Sequence, residues 1–96
     1  MADQRRLLDG HGRLLMVVRV VTFARLRELL GFEWRAVTLA EGADASDAWA
    51  VLSADAPAIQ SLRASTRFAR NGRMVDADQA LSDGDELALL PPVGGG

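Results

Sequence analysis

Glu86-Leu87-Ala88-Leu89-Leu90-Pro91-Pro92-Val93-Gly94-Gly95-Gly96 joins a short apolar run to two prolines and three glycines. The run from Leu87 to Leu90 is continuously apolar, the pattern of a central strand buried on both faces. Pro91 and Pro92 have a fixed φ and no N–H, so they end the ladder and begin a stiff spacer. Gly94, Gly95 and Gly96 carry no Cβ, so residues 93–96 read as a flexible arm thin enough to enter a narrow channel. Neighbours on a strand face opposite sides, so one of Leu89 and Leu90 is expected in the core and the other exposed.

The other strongly apolar run is Met16-Val17-Val18-Arg19-Val20-Val21-Thr22-Phe23, rich in β-branched residues and the best first strand. These two most hydrophobic runs are expected side by side in the middle of a sheet. Leu26, Leu29 and Leu30 follow at helical spacing, with Gly31 as the stop. Trp34 to Leu39 alternates as a second strand, Trp34, Ala36 and Thr38 against Arg35, Val37 and Leu39. Asp44 caps a second helix with Asp47 in its first turn, and Ala45, Ala48, Trp49 and Leu52 form its core stripe. Pro57 ends that helix or begins a new turn. Asn71-Gly72 between extended runs predicts a type I′ hairpin, because both residues tolerate positive φ. Leu81-Ser82-Asp83-Gly84-Asp85 is a further turn before the last strand. The order is β-α-β-α-β-β-β, an α+β chain in two layers. The expected organisation is a poorly structured extension at 1–15, a folded domain at 16–92 and the glycine tail at 93–96.

Composition narrows the chemistry. The chain has 96 residues, enough for one domain, with 49% hydrophobic residues and a formal charge of -2. Cysteine is absent, which removes disulfides, thiolate metal sites and any thiol nucleophile of the chain's own. His11 is the single histidine and sits between glycines, in sequence that reads as loop. All 11 basic residues are Arg, so there is neither Schiff-base lysine chemistry nor an internal lysine acceptor. No metal site is expected. Residues 1–39 carry seven Arg against four acidic residues, and residues 71–96 carry Arg73 against five. That acidic C-terminal region points to a basic partner surface and away from nucleic acid. No apolar run is long enough to span a membrane, and residues 1–15 lack the h-region of a secretory signal, so the expected compartment is the cytoplasm.

Three stretches carry a family resemblance. Val18 to Gly31 places Phe23-Ala24 ahead of Arg27-Glu28-Leu29; Asn71-Gly72 and Leu81 to Glu86 supply a hairpin and a last turn; Leu89 to Gly96 places Pro91-Pro92-Val93 before the glycines. In this order they resemble the ubiquitin-like β-grasp fold, a mixed five-stranded sheet with a helix across one face. Within it they resemble the MoaD/ThiS sulfur-carrier family, and the tail is most similar to its molybdopterin-synthase branch. Leu89 and Leu90 stand where that branch often has aromatics.

The resemblance implies that the protein is no enzyme by itself. It implies instead the sulfur-donating small subunit of a heteromeric sulfurtransferase acting in molybdenum cofactor biosynthesis. An E1-like adenylyltransferase would use ATP to adenylate the Gly96 carboxylate. A sulfurtransferase or desulfurase would then supply sulfur, leaving a covalent thiocarboxylate at Gly96. The molybdopterin synthase large subunit would hold the pterin precursor that receives the sulfur. No cofactor is bound in this scheme. Gly94 and Gly95 give passage, and Leu89, Leu90, Pro91, Pro92 and Val93 are candidate partner contacts on the sheet face near the tail. The alternatives are a sulfur carrier for thiamin, cysteine or another metabolite, a ubiquitin-like protein modifier, and a plain interaction module.

Overall fold

The computed structural model describes residues 8–92. Residues 1–7 and the tail residues Val93, Gly94, Gly95 and Gly96, with the roles expected of them, lie outside the described residues.

Strand β1 is Leu15–Thr22, and its alternation buries Met16, Val18, Val20 and Thr22 on one side. Helix α1, Ala24–Leu30, follows at once; Ala24 takes φ 51 to turn the chain, and Gly31 closes the helix at φ 82 with its N–H on the Arg27 carbonyl. Strand β2, Trp34–Ala40, returns antiparallel to β1 and buries Val37 and Leu39. Helix α2, Ala45–Asp55, opens on a complete capping box: the Asp44 carboxylate accepts from the Asp47 N–H, and the Asp47 carboxylate accepts from the Asp44 N–H, each at 2.9 Å. Its stripe of Ala45, Ala48, Trp49 and Leu52 is buried, with Trp49 edge-to-face on Phe68 at 6.2 Å. From Pro57 the chain turns as a 3-10 helix to Ser65, burying Ile59. Strands β3, Arg67–Arg70, and β4, Arg73–Val75, form the hairpin, with Asn71 at φ 50 and Gly72 at φ 84 as a type I′ turn requires.

Strand β5, Glu86–Leu90, closes the sheet in the order β2-β1-β5-β3-β4, parallel to β1 and antiparallel to β3. The two most apolar strands are therefore neighbours at the centre, and the architecture is the expected ubiquitin-like β-grasp. Leu87 and Leu89 are fully buried beneath the helical layer, each contributing about 1.5–3 kcal/mol by leaving water. Ala88 and Leu90, on the other face, are only half-buried. This corrects the expectation that β5 is buried on both sides: the helices cover one face of the sheet, and nothing among the described residues covers the other.

Residues 8–14 hold a local turn. Leu8 bridges Leu14, and the Asp9 carboxylate accepts from the N–H groups of His11 and Arg13 and from the Arg13 side chain. His11 is exposed there. No helix among the described residues is long and apolar enough to cross a membrane.

Candidate functional site

The two ends of β5 are held by different forces. At its start, the Asp83-Gly84-Asp85 turn is strapped to β1. The Val17 N–H donates to Asp83 Oδ1 at 2.7 Å, the Gly84 N–H donates to the Val17 carbonyl at 2.8 Å, and the Arg19 N–H donates to the Asp85 carbonyl at 2.8 Å. The buried Asp85 carboxylate pairs with Arg70 and accepts from the Asn71 side-chain amide at 2.9 Å and the Ser82 N–H at 2.7 Å. Burial opposes its ionisation, but those hydrogen bonds and the Arg70 charge outweigh burial and hold the carboxyl below its ordinary range.

At its far end β5 leads into Pro91, half-buried, and Pro92, exposed. Both line a small, mainly apolar cleft of about 50 Å³ with Arg25 and Leu26 of α1 and Leu62, Ser65 and Thr66 of the 3-10 helix. The base of the tail is thus seated between two helical elements, and the chain leaves the domain from a central strand paired on both sides.

The uncovered face of the sheet carries an apolar row. The strand registers align Trp34 with Val21, Val21 with Ala88, Ala88 with Ala69 and Ala69 with Met74, across every strand. Trp34 and Met74, at its ends, are 54% and 55% exposed. Arg19 lies over the Trp34 ring at 4.5 Å, and Leu90 stands beside the row on the tail side.

Of the five residues expected to meet a partner, Leu89 is in the core with 0% exposure, so it packs and does not dock. Leu90, Pro91 and Pro92 are at the surface. The charge expectation is corrected as well. Asp83, Asp85 and Glu86 sit at the start of β5, at the opposite end from Pro91, and Asp85 is internally paired. The tail base is flanked by cations: Arg67 is registered opposite Leu90, and Arg25 lines the proline cleft while paired with Glu28 at 3.1 Å. These cations at the tail base are complementary to an acidic surface. Among the described residues no cluster of three or more His, Cys, Asp or Glu side chains could hold a metal ion.

The comparisons with known proteins agree with this geometry. Residues 20–96 match the ThiS family. The chain belongs to the ThiS family. This ThiS-family chain is 37% identical over 83 residues to the molybdopterin synthase sulfur carrier subunit of Chlamydomonas reinhardtii, covering 84% of the chain and 100% of that relative. It is 32% identical over 89 residues to the protein so named in Escherichia coli (strain K12), covering 83% and 100%. Among solved structures, the putative molybdopterin converting factor subunit 1 of Pyrococcus furiosus superposes with a TM-score of 0.74 at 31% identity, covering 81% of the chain and 99% of that structure. SAMP1 of Haloferax volcanii superposes at 0.72 with 33% identity, covering 83% and 99%. A subunit in the complex of subunits 1 and 2 of the molybdopterin-converting factor of Helicobacter pylori superposes at 0.60 with 26% identity, covering 84% and 100%.

Reading the sequence alone misses Val21, Trp34, Met74 and Ala88 as one surface, with the buried Ala69 between Ala88 and Met74. The local signal available is Trp34, a large aromatic on the solvent side of an alternating strand.

Proposed function

We propose that this ThiS-family chain is the sulfur-carrier small subunit of a molybdopterin synthase, a substrate of other active sites with no catalytic centre of its own. The Gly96 carboxylate is adenylated by an E1-like adenylyltransferase at the expense of ATP, converted to a thiocarboxylate by a sulfur donor, and presented to the pterin precursor in the large subunit. The observation that carries this reading is the firmly held β5 ending directly in Pro91 and Pro92, beside an exposed apolar row. A rigid base followed by side-chain-free residues suits a carboxylate that must visit more than one partner. Gly94 and Gly95 allow passage; Leu90, Pro91, Pro92 and Val93, with Trp34, Val21, Ala88 and Met74, form the docking surface. The relatives named as sulfur carrier subunits, and the Helicobacter pylori complex of two subunits, support the choice of pathway and partner. The proposed compartment is the cytoplasm, where these enzymes and ATP would be shared.

The test is intact mass after incubation with an E1-like adenylyltransferase, ATP and a sulfur source. The proposal expects the mass gain of one oxygen exchanged for one sulfur, lost when Gly96 is deleted. An unchanged mass with an activator competent on another carrier would overturn it.

The likeness to SAMP1, the small archaeal modifier protein 1 of Haloferax volcanii, favours a second reading as a protein modifier. That reading expects lysine-linked adducts on other proteins when ATP and the activator are present without a sulfur source. Because this chain has no lysine, such adducts could not be self-conjugates.

A further inference from the structure

The 3-10 helix Pro57–Ser65 ends beside the β3–β4 hairpin, and Arg63 stands in its last turn. The Thr66 N–H donates to the Arg63 carbonyl at 3.3 Å, and the Thr66 hydroxyl donates to the Leu62 carbonyl at 2.7 Å. The backbone that carries Arg63 is thus tied down. Its guanidinium lies 4.9 Å from the Phe68 ring centroid and 6.0 Å from that of Trp49, the two rings that pack edge-to-face in the core. The side chain is half-buried, yet among the described residues no acceptor takes its N–H groups and no carboxylate pairs with it. A part-desolvated guanidinium held by aromatic contacts, with its hydrogen bonds unspent, is costly to the free domain and prepared for an anion.

Arg63 lines a pocket of about 430 Å³ between the end of the 3-10 helix and strands β3 and β4. Arg67 and Gln79 line it as well, and neither side chain has a polar partner among the described residues. Asp76 is the one carboxylate in the lining and pairs with neither arginine, so the pocket is net positive. Its place in the fold matters as much as its charge. Met74, which ends the outer apolar row, is in its wall, and Arg67 is registered opposite Leu90. Thr66 is shared with the cleft that seats Pro91 and Pro92. The pocket therefore continues the outer row around the β4 edge, on the tail side of the sheet.

We propose that this pocket receives one aspartate or glutamate side chain of the molybdopterin synthase large subunit, a role that rests on the function proposed above. The incoming carboxylate takes the planar Arg63 fork in a bidentate pair, a match that lysine could not make. The Gln79 amide offers a further donor from the same wall. Arg67, exposed at the rim, draws the acidic group in and stays in contact with water. The two arginines therefore act on different rate constants. A charge pair closed off from water sets how long the complex lasts, and a rim charge sets how fast it forms.

Binding kinetics of the intact chain with the large subunit separate these roles. Arg63→Met keeps an apolar stem against Phe68 and removes the fork. In a protein with native circular dichroism it is expected to raise the dissociation rate about tenfold, at low and high salt alike. Arg67→Met is expected to slow association at low salt and leave dissociation unchanged. Because the chain has no lysine, Arg63→Lys introduces its single side-chain amine. Carbodiimide treatment of that complex is expected to join the amine to an aspartate or glutamate of the large subunit, located by peptide mass. A dissociation rate unaltered by Arg63→Met overturns the proposal, as does an effect that disappears at high salt. An introduced amine that joins only Asp76 of its own chain, or nothing, overturns it too. Sulfur transfer from Gly96 can proceed in each of those cases, so the proposed function is judged separately; a wild-type chain that fails to bind the large subunit overturns both.

Discussion

The inner and outer faces of the sheet differ more than their composition suggests. Both are apolar along their middle, yet Val18, Val20, Leu87 and Leu89 are sealed under α2 and the 3-10 helix, whereas Trp34 and Met74 on the other face meet solvent. β5 serves both, with Leu87 and Leu89 pointing in and Ala88 and Leu90 pointing out. The same residue type on adjacent positions thus has separate work: Leu89 stabilises, and Leu90 is available to a partner. In a small domain without cysteine most large side chains go to the core, so Trp34 and Met74, more than half exposed at the ends of the outer row, are left for the docking surface proposed above.

The largest effect should come from breaking the inner face. Leu89→Ala is expected to cost about 2–5 kcal/mol in denaturant unfolding, against less than about 1 kcal/mol for Leu90→Ala. Comparable losses at both positions would end the distinction between the faces. Next, Trp34→Ala and Leu90→Ala should each weaken binding to the large subunit by about 1–2 kcal/mol in calorimetry while leaving the fold intact. An unchanged affinity would remove the outer row from the docking surface.

A smaller, pH-dependent effect belongs to the polar staple at the start of β5. Asp85 has its native pKa held below the ordinary 3.8, so its stabilisation is fully present above pH 3.8 and is lost as pH falls through that value toward the native pKa. Asp85→Asn should flatten that acid limb of the stability profile; an unaltered limb would place the dependence elsewhere. The smallest effect is expected at the cations beside the tail base. Arg67→Glu should slow association with an acidic partner severalfold at low salt, and the difference should vanish at high salt.

How much of this was legible in the sequence follows from the range of each interaction. The Asn71-Gly72 turn, the Asp44–Asp47 capping box and the Gly31 stop are settled within four residues, and local pattern reads them correctly. The central pairing of β1 with β5 was also readable, because those runs are the most apolar. The outer row was not, since Trp34 and Met74 join one line only through the registers of all the strands. Asp85 read as an ordinary turn residue because Arg70 and Asn71 lie 15 and 14 positions away. The acidic C-terminal region misled for a related reason: proximity to the tail in sequence put Asp83 and Glu86 at the far end of β5. Burial on both faces was inferred from apolar composition, which cannot tell a helix-covered face from one reserved for a partner.

Single-turnover transfer tests the proposed function most directly. The chain, thiocarboxylated beforehand at Gly96, is mixed with the molybdopterin synthase large subunit and its pterin precursor, and both protein mass and product sulfur are followed. A sulfur carrier for this pathway returns to the carboxylate mass as sulfur appears in the pterin. Retention of sulfur on the chain, with a large subunit that accepts it from another carrier, would contradict the proposal.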